Sequence, residues 1–168
     1  MKDIKSYLIG FLTCVCLLLI MGKTKKNLGD IKVNSISIKN NSGKEIAWLG
    51  ESEAGNGLVK IFNANEKKIV SIGTTNNGNG FLNTFNIFEN KTSYLGTGSG
   101  GGGHLTTFNA DGGKTAYLGT GEEGFGFLNT FNIYKTETGY LGTNKNNNGM
   151  IILRDRYGDL VWSEIGKK

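Results

Sequence analysis

The sequence predicts an all-β chain: an elongated repeat array of 23-residue, two-strand units behind an N-terminal hydrophobic helix. Three observations carry this. Glycines recur every 23 residues in two separate phases. The segments between them alternate apolar and polar side chains with the period of two that marks strands. The composition, with 27 glycines, no proline and many asparagines, suits a chain of many tight turns, because Gly and Asn both tolerate positive φ.

The leader comes first. The run with Tyr7 and Gly22 as its ends is apolar apart from Thr13 and has lysines on both sides. Its sixteen residues span about 24 Å as a helix, against a hydrocarbon core of about 30 Å. That length falls between a signal-peptide core and a membrane anchor. Residues 1–26 are therefore expected to be a signal or transmembrane segment that meets a membrane through residues 7–22. Gly22 is small, but Ile20 and Met21 do not form a cleavage site of the usual small-residue kind. Lys23, Lys25 and Lys26 favour a cytoplasmic location for that flank, whereas a Gly/Asn-rich array without cysteine suits a cell surface or secretion. Orientation and cleavage stay open.

The net charge of +5 is concentrated in this leader. Lys2, Lys5, Lys23, Lys25 and Lys26 face only Asp3 there, while residues 27–168 hold 14 basic and 13 acidic side chains. The array lacks the basic stripe that nucleic-acid binding needs, so no nucleic acid is expected as a partner. Both cysteines, Cys14 and Cys16, lie in the leader. The array has neither disulfide nor thiolate metal site.

The repeat fills 27–149. Gly50, Gly73, Gly96, Gly119 and Gly142 form one phase, each after an aliphatic residue. Gly57, Gly80, Gly103, Gly126 and Gly149 form the second. A third phase pairs an aromatic with a carboxamide: Phe62-Asn63, Phe85-Asn86, Phe108-Asn109 and Phe131-Asn132. One step back lands on Lys39-Asn40, with Ile36 and Ile38 at the positions of Val59 and Ile61. In the fourth unit, residues 114–120 form a strand with Ala116 and Leu118 on one face and Tyr117 on the other. Residues 121–126 turn, and 127–133 form a second strand with Phe127, Asn129 and Phe131 on one face. Neither strand is stable alone, so neighbouring units must bury the apolar faces. Two architectures fit: a β-solenoid with Phe-on-Phe and Asn-on-Asn ladders, or an antiparallel β-meander of hairpins. Arg154, Asp155, Arg156, Asp159 and Glu164 replace the repeat residues in the last unit, and residues 150–168 are expected to be a divergent C-terminal cap.

The units resemble MORN repeats in spacing through Tyr117, Gly119, Gly124 and Gly126. They lack the Trp and His-Gly of that family, and the resemblance implies a lipid or protein scaffold role. In their Leu-Gly…Gly-x-Gly…Phe-Asn pattern they look more like the units of exported or membrane-anchored bacterial β-repeat proteins.

Catalytic chemistry finds little footing. His104 is the one histidine and holds the place of Leu58, Phe81, Phe127 and Met150, which points to a tolerated substitution at a turn edge. Glu122-Glu123 suits a solvated turn. The glycine-rich run 100–103 lacks the carboxylate series of a calcium-binding roll. The glycine pairs lie between strands with no following helix, unlike a phosphate loop. No catalytic residue, cofactor or metal is expected, and the chain is expected not to be an enzyme. The candidate interaction surface is the aromatic series Trp48, Tyr94, Tyr117 and Tyr140 with Phe85, Phe108 and Phe131. A tyrosine beside a glycine in a strand also covers bare backbone, and this packing role competes with binding. The expected function is that of a membrane-anchored or secreted structural β-repeat protein acting in cell-surface assembly or adhesion, with a second copy, a glycan or a surface protein as partner. The alternative is a carbohydrate-binding module using the aromatic ladder.

Overall fold

The structure, a computed structural model, describes residues 2–21 and 30–166. The chain divides after Val33 into two units. The first contains helix α1, Lys2–Met21. Among the described residues no helix is long and apolar enough to cross a membrane. The expected leader boundary at 26 and the end of the apolar run at Gly22 lie outside the described residues.

The second unit is one antiparallel sheet of twelve strands, each paired with its sequence neighbours. The strands are β1 Ile36–Lys39, β2 Glu45–Glu51, β3 Gly57–Phe62, β4 Lys68–Thr74, β5 Gly80–Phe85 and β6 Lys91–Thr97. They continue as β7 Gly103–Phe108, β8 Lys114–Thr120, β9 Gly126–Phe131, β10 Glu137–Thr143, β11 Gly149–Arg154 and β12 Leu160–Ile165. Of the two architectures compatible with the period, the chain adopts the meander and not the solenoid. The sheet is open, with β1 and β12 at its edges.

The 23-residue period follows from two unequal strands and two equal turns. A six-residue strand such as β5, a five-residue turn at 86–90, the seven-residue β6 and a turn at 98–102 complete one unit. The extra residue of the longer strand is a bulge at its second position: the register slips between Thr84 and Phe85, leaving Thr92 unpaired. The same slip recurs opposite Ile69, Thr115 and Thr138. One extra residue per hairpin bends the longer strand and increases the twist.

Both turns share one backbone scheme. The first residue accepts from the N–H three residues on and donates to the carbonyl four residues on, as in Asn109 with Gly112 and Gly113. The fourth residue then takes positive φ: Gly112 at 81° and Gly124 at 88°. This is the type I turn with a left-handed bulge residue that joins antiparallel strands. Glu66, Glu89, Lys135 and Asn147 occupy that position without being glycine, at φ 61–66°.

The asparagines of the third phase act in these turns and do not form a ladder of their own. Asn132 Oδ1 accepts from the backbone N–H of Tyr134 and of Thr136, and Asn63, Asn86 and Asn109 repeat the arrangement. This local competition ends β9 at Phe131, two residues before the 133 expected from alternation. The asparagine amides also tie units together: Asn86 Nδ2 donates to Ala110 O at 3.0 Å and Asn132 Nδ2 to Arg156 O at 2.9 Å.

Residues 150–165 continue the sheet as β11 and β12. Arg154, at the phase of the phenylalanines, meets Glu137 of β10 at 3.5 Å. No hydrophobic side chain among the described residues is buried; the buried side chains are Ser71, Asn83 and Thr106. Within the second unit the sheet is a single layer.

Candidate interaction faces

Pairing register sorts the strand residues onto two faces of different chemistry. One face holds three rows. In the first, Gly73, Phe81, Gly96, His104, Gly119, Phe127, Gly142 and Met150 follow one another across the sheet. A large side chain thus always stands beside a glycine. In the second row, Tyr94, Thr106, Tyr117, Asn129, Tyr140 and Ile152 are successive partners. In the third, Phe85 pairs with Lys91 and Phe108 with Lys114.

All seven candidates from the sequence lie on this aromatic face, in two rows. Trp48, Tyr94, Tyr117 and Tyr140 occupy the middle row, and Phe85, Phe108 and Phe131 the outer one. The phenylalanines do not stack on one another, because each comes from every second strand and a lysine or other polar residue stands between. Lys68 Nζ lies 4.4 Å from the Phe85 ring centre and Lys114 Nζ 5.0 Å from that of Phe131.

The tyrosines lean along their own strands toward the glycines. Their hydroxyls donate to the carbonyl three residues on: Tyr94 to Thr97 at 3.2 Å, Tyr117 to Thr120 at 3.4 Å and Tyr140 to Thr143 at 2.9 Å. Each ring thereby crosses the glycine between. A Cβ at Gly96 would lie 2.7 Å from the Tyr94 hydroxyl, and one at Gly142 the same distance from that of Tyr140. Trp48 covers Gly50 in the same way, with Cζ2 2.5 Å from the place of a Cβ.

Leaning brings the tyrosines level with the large residues of the glycine row. The result is one stack: Tyr94 to His104 at 4.8 Å, His104 to Tyr117 at 5.1 Å, Tyr117 to Phe127 at 5.1 Å and Phe127 to Tyr140 at 5.7 Å between ring centres. Adjacent planes differ by 17–22°. The spacing is that of the strands themselves, about 4.8 Å, opened slightly by the twist.

His104 is the second residue of β7, beside the turn at 98–102, and its ring lies within the stack. Its Nδ1 is buried without a hydrogen-bond partner. His104 and Phe127 were not among the sequence candidates, although their phase opposite the glycines was the available signal. The lysines were missed as well, since only the bulge returns Lys68, Lys91 and Lys114 to the aromatic face. A groove of about 720 Å³ opens over this stack, lined by His104, Tyr117, Phe127 and Tyr140 and rimmed by Glu122 and Glu123. Among the described residues no group of three or more His, Cys, Asp or Glu could hold a metal ion.

The opposite face carries an aliphatic row. Ile36, Leu49, Val59, Ile72, Leu82, Leu95, Leu105, Leu118, Leu128, Leu141 and Ile151 are successive cross-strand partners, and Glu164 ends the row on β12. From β5 to β10 small residues flank it, while Ile38, Ile61, Val70 and Leu153 stand in one flanking row nearer the edges. On one side Thr97 pairs with Gly103 and Thr120 with Gly126; on the other lie Thr84, Ser93, Thr107 and Ala116. Threonine hydroxyls there satisfy one another across strands, Thr84 with Thr92 at 2.8 Å and Thr107 with Thr115 at 2.8 Å.

A scan of the chain against protein-family models finds no match, and a search of curated proteins finds no similar sequence.

Proposed function

We propose that this chain is a non-enzymatic structural β-repeat module that works by assembly or adhesion at a cell surface. The observation that carries the reading is the single-layer sheet with two continuous, chemically distinct faces. Twelve strands at about 4.8 Å spacing make a surface about 50 Å wide. Its side chains repeat in rows, which suits contact along an extended partner more than the convergence of groups on one reacting atom. Placement at a membrane or cell surface rests on the apolar run 7–22 between lysines. The experiment compares cells producing the full chain with cells producing a chain that lacks the repeats. Attachment or aggregation that depends on the repeats supports the proposal; equal behaviour of the two strains refutes it.

A glycan-binding reading is favoured by the groove of about 720 Å³ over the aromatic stack. It ranks second because the rings from His104 to Phe127 have other rings on both faces. A sugar stacks on a free ring face, and these rings present mainly edges. Binding on a glycan array that is lost in Tyr117→Ala would place this reading first.

A further inference from the structure

We infer that the aliphatic face is an interface between two copies of this chain, packed sheet on sheet about a two-fold axis. The first argument is the distribution of charge. Between β3 and β11 the charged strand residues are Lys60, Lys68, Lys91, Lys114, Glu137 and Arg154. Register or ring contacts place all six on the aromatic face. The aliphatic face over the same nine strands consists of Gly, Ala, Val, Leu, Ile, Ser and Thr. A face meant for water in a chain with 20 % charged residues would carry some of that charge. Instead Leu95, Leu118 and Leu141 stand 53, 53 and 52 % exposed in one line. A contiguous apolar surface of this kind marks an interaction site.

The second argument is dimension. Nine strands at about 4.8 Å, each presenting about five residues at 3.4 Å, give a flat area of roughly 700 Å². A stable protein interface buries about 800 Å² on each partner, so the patch is of the size one two-fold contact needs.

The third argument is periodicity. From β5 to β10 the aliphatic row is a ridge between two rows of small residues, and toward the ends Ile61, Val70 and Leu153 stand in one flanking row. A second copy presents the same ridge and the same troughs at the same spacing, so ridge and trough mesh over β5 to β10, with Ile61, Val70 and Leu153 adding apolar contact beyond. Stacked sheets pack about 10 Å apart through such interdigitation, and an isologous contact requires a self-complementary patch. It also supplies the missing second layer, since sheets ordinarily bury one face against another element. Glu164 closes the row at β12 and sets an end to the contact.

The inference rests on the assembly reading and specifies its partner. The experiment uses the full chain in nonionic detergent at micromolar concentration. Protein mass is measured by sedimentation and side-chain oxidation by hydroxyl-radical footprinting. The wild-type chain is compared with Leu95→Thr/Leu118→Thr, which keeps strand propensity but flattens the ridge. The expected mass is twice the 18.1 kDa chain for the wild type and one chain for the variant. Leu95, Leu105, Leu118 and Leu141 should oxidise several-fold more slowly than Ile87 and Ile133, which stand exposed in the turns. A single-chain mass for the wild type overturns the inference. So does a two-chain mass unchanged in a folded variant, which places the contact elsewhere. Leucine protection in a single-chain particle also overturns it and puts lipid or another molecule on this face. If the variant does not fold, wild-type protection that rises with concentration decides alone. A single-chain protein that still supports attachment sinks only the second copy, whereas a dimer without attachment sinks the adhesion reading.

Discussion

Gly119 and Gly126 lie in the same repeat and answer differently to one added methyl group. A Cβ on Gly119 would meet the Cβ of His104 first, then the carbonyl oxygen of Gly103 at 2.8 Å and the Cα of His104 at 2.9 Å. Two of these three atoms are backbone of β7, so no rotamer change relieves the overlap. Strands β7 and β8 must separate by a few tenths of an ångström or more, and their hydrogen bonds lengthen. Overpacking of this kind costs about 1–3 kcal/mol. Replacing glycine returns about 0.4–1 kcal/mol through the unfolded state. Gly119→Ala should therefore destabilise by about 1–2 kcal/mol, and Gly119→Val by more, since its branched methyls crowd the same strand. Gly126 has nothing within 4 Å of the corresponding position. Gly126→Ala keeps only the unfolded-state gain and should stabilise by about 0.5 kcal/mol. Urea unfolding of the full chain measures both. With m about 2 kcal/mol/M, Gly119→Ala should lower the midpoint by about 0.5–1 M. Hydrogen exchange should rise first in β7, β8 and β9, because each unit touches mainly its neighbours. Equal midpoints for the two alanine variants would refute the close-approach argument.

Three further outcomes follow from the same geometry. Tyr140→Phe removes the 2.9 Å hydrogen bond to Thr143 O but keeps the ring over Gly142; it should cost about 1 kcal/mol by urea unfolding, and Tyr140→Ala distinctly more. Lys135 holds φ 66° in its turn, so Lys135→Gly should stabilise by up to about 1 kcal/mol, as left-handed backbone strain disappears; a lowered midpoint would contradict the turn geometry. His104→Phe places at this position the residue found at Phe81 and Phe127 and removes a buried Nδ1 without a partner; it should raise stability by about 1 kcal/mol, and a fall in the thermal midpoint would show that the imidazole itself is needed there.

The sequence by itself determined what is local. Alternation in residues 114–120 assigned Leu118 and Tyr117 to opposite faces, and pairing of Leu118 with Leu128 and Tyr117 with Asn129 agrees. The period, the strand content and the place of the first strand at Ile36 follow from residues near one another in the chain. Where a side chain hydrogen-bonds its own backbone, alternation alone misplaced the boundary, as at Asn132. Tertiary structure decided everything that depends on which strand comes to lie beside which. The 23-residue step suits a coil and a hairpin equally, and the positive φ at the fourth turn position returns the chain antiparallel. Gly119 reads as a conformational or a steric requirement in the sequence; the neighbouring β7 backbone makes it steric. His104 looks like a substitution at a turn edge until register sets it between Gly96 and Gly119, where the leaning rings of Tyr94 and Tyr117 stack on its two faces. The bulge, invisible in the alternation, carries Lys68, Lys91 and Lys114 to the aromatic face and leaves the other face without charge from β3 to β11. The physical reason is the same throughout: turn and strand preferences act within a few residues, whereas the chemistry of a sheet face is created by partners that only the register brings together.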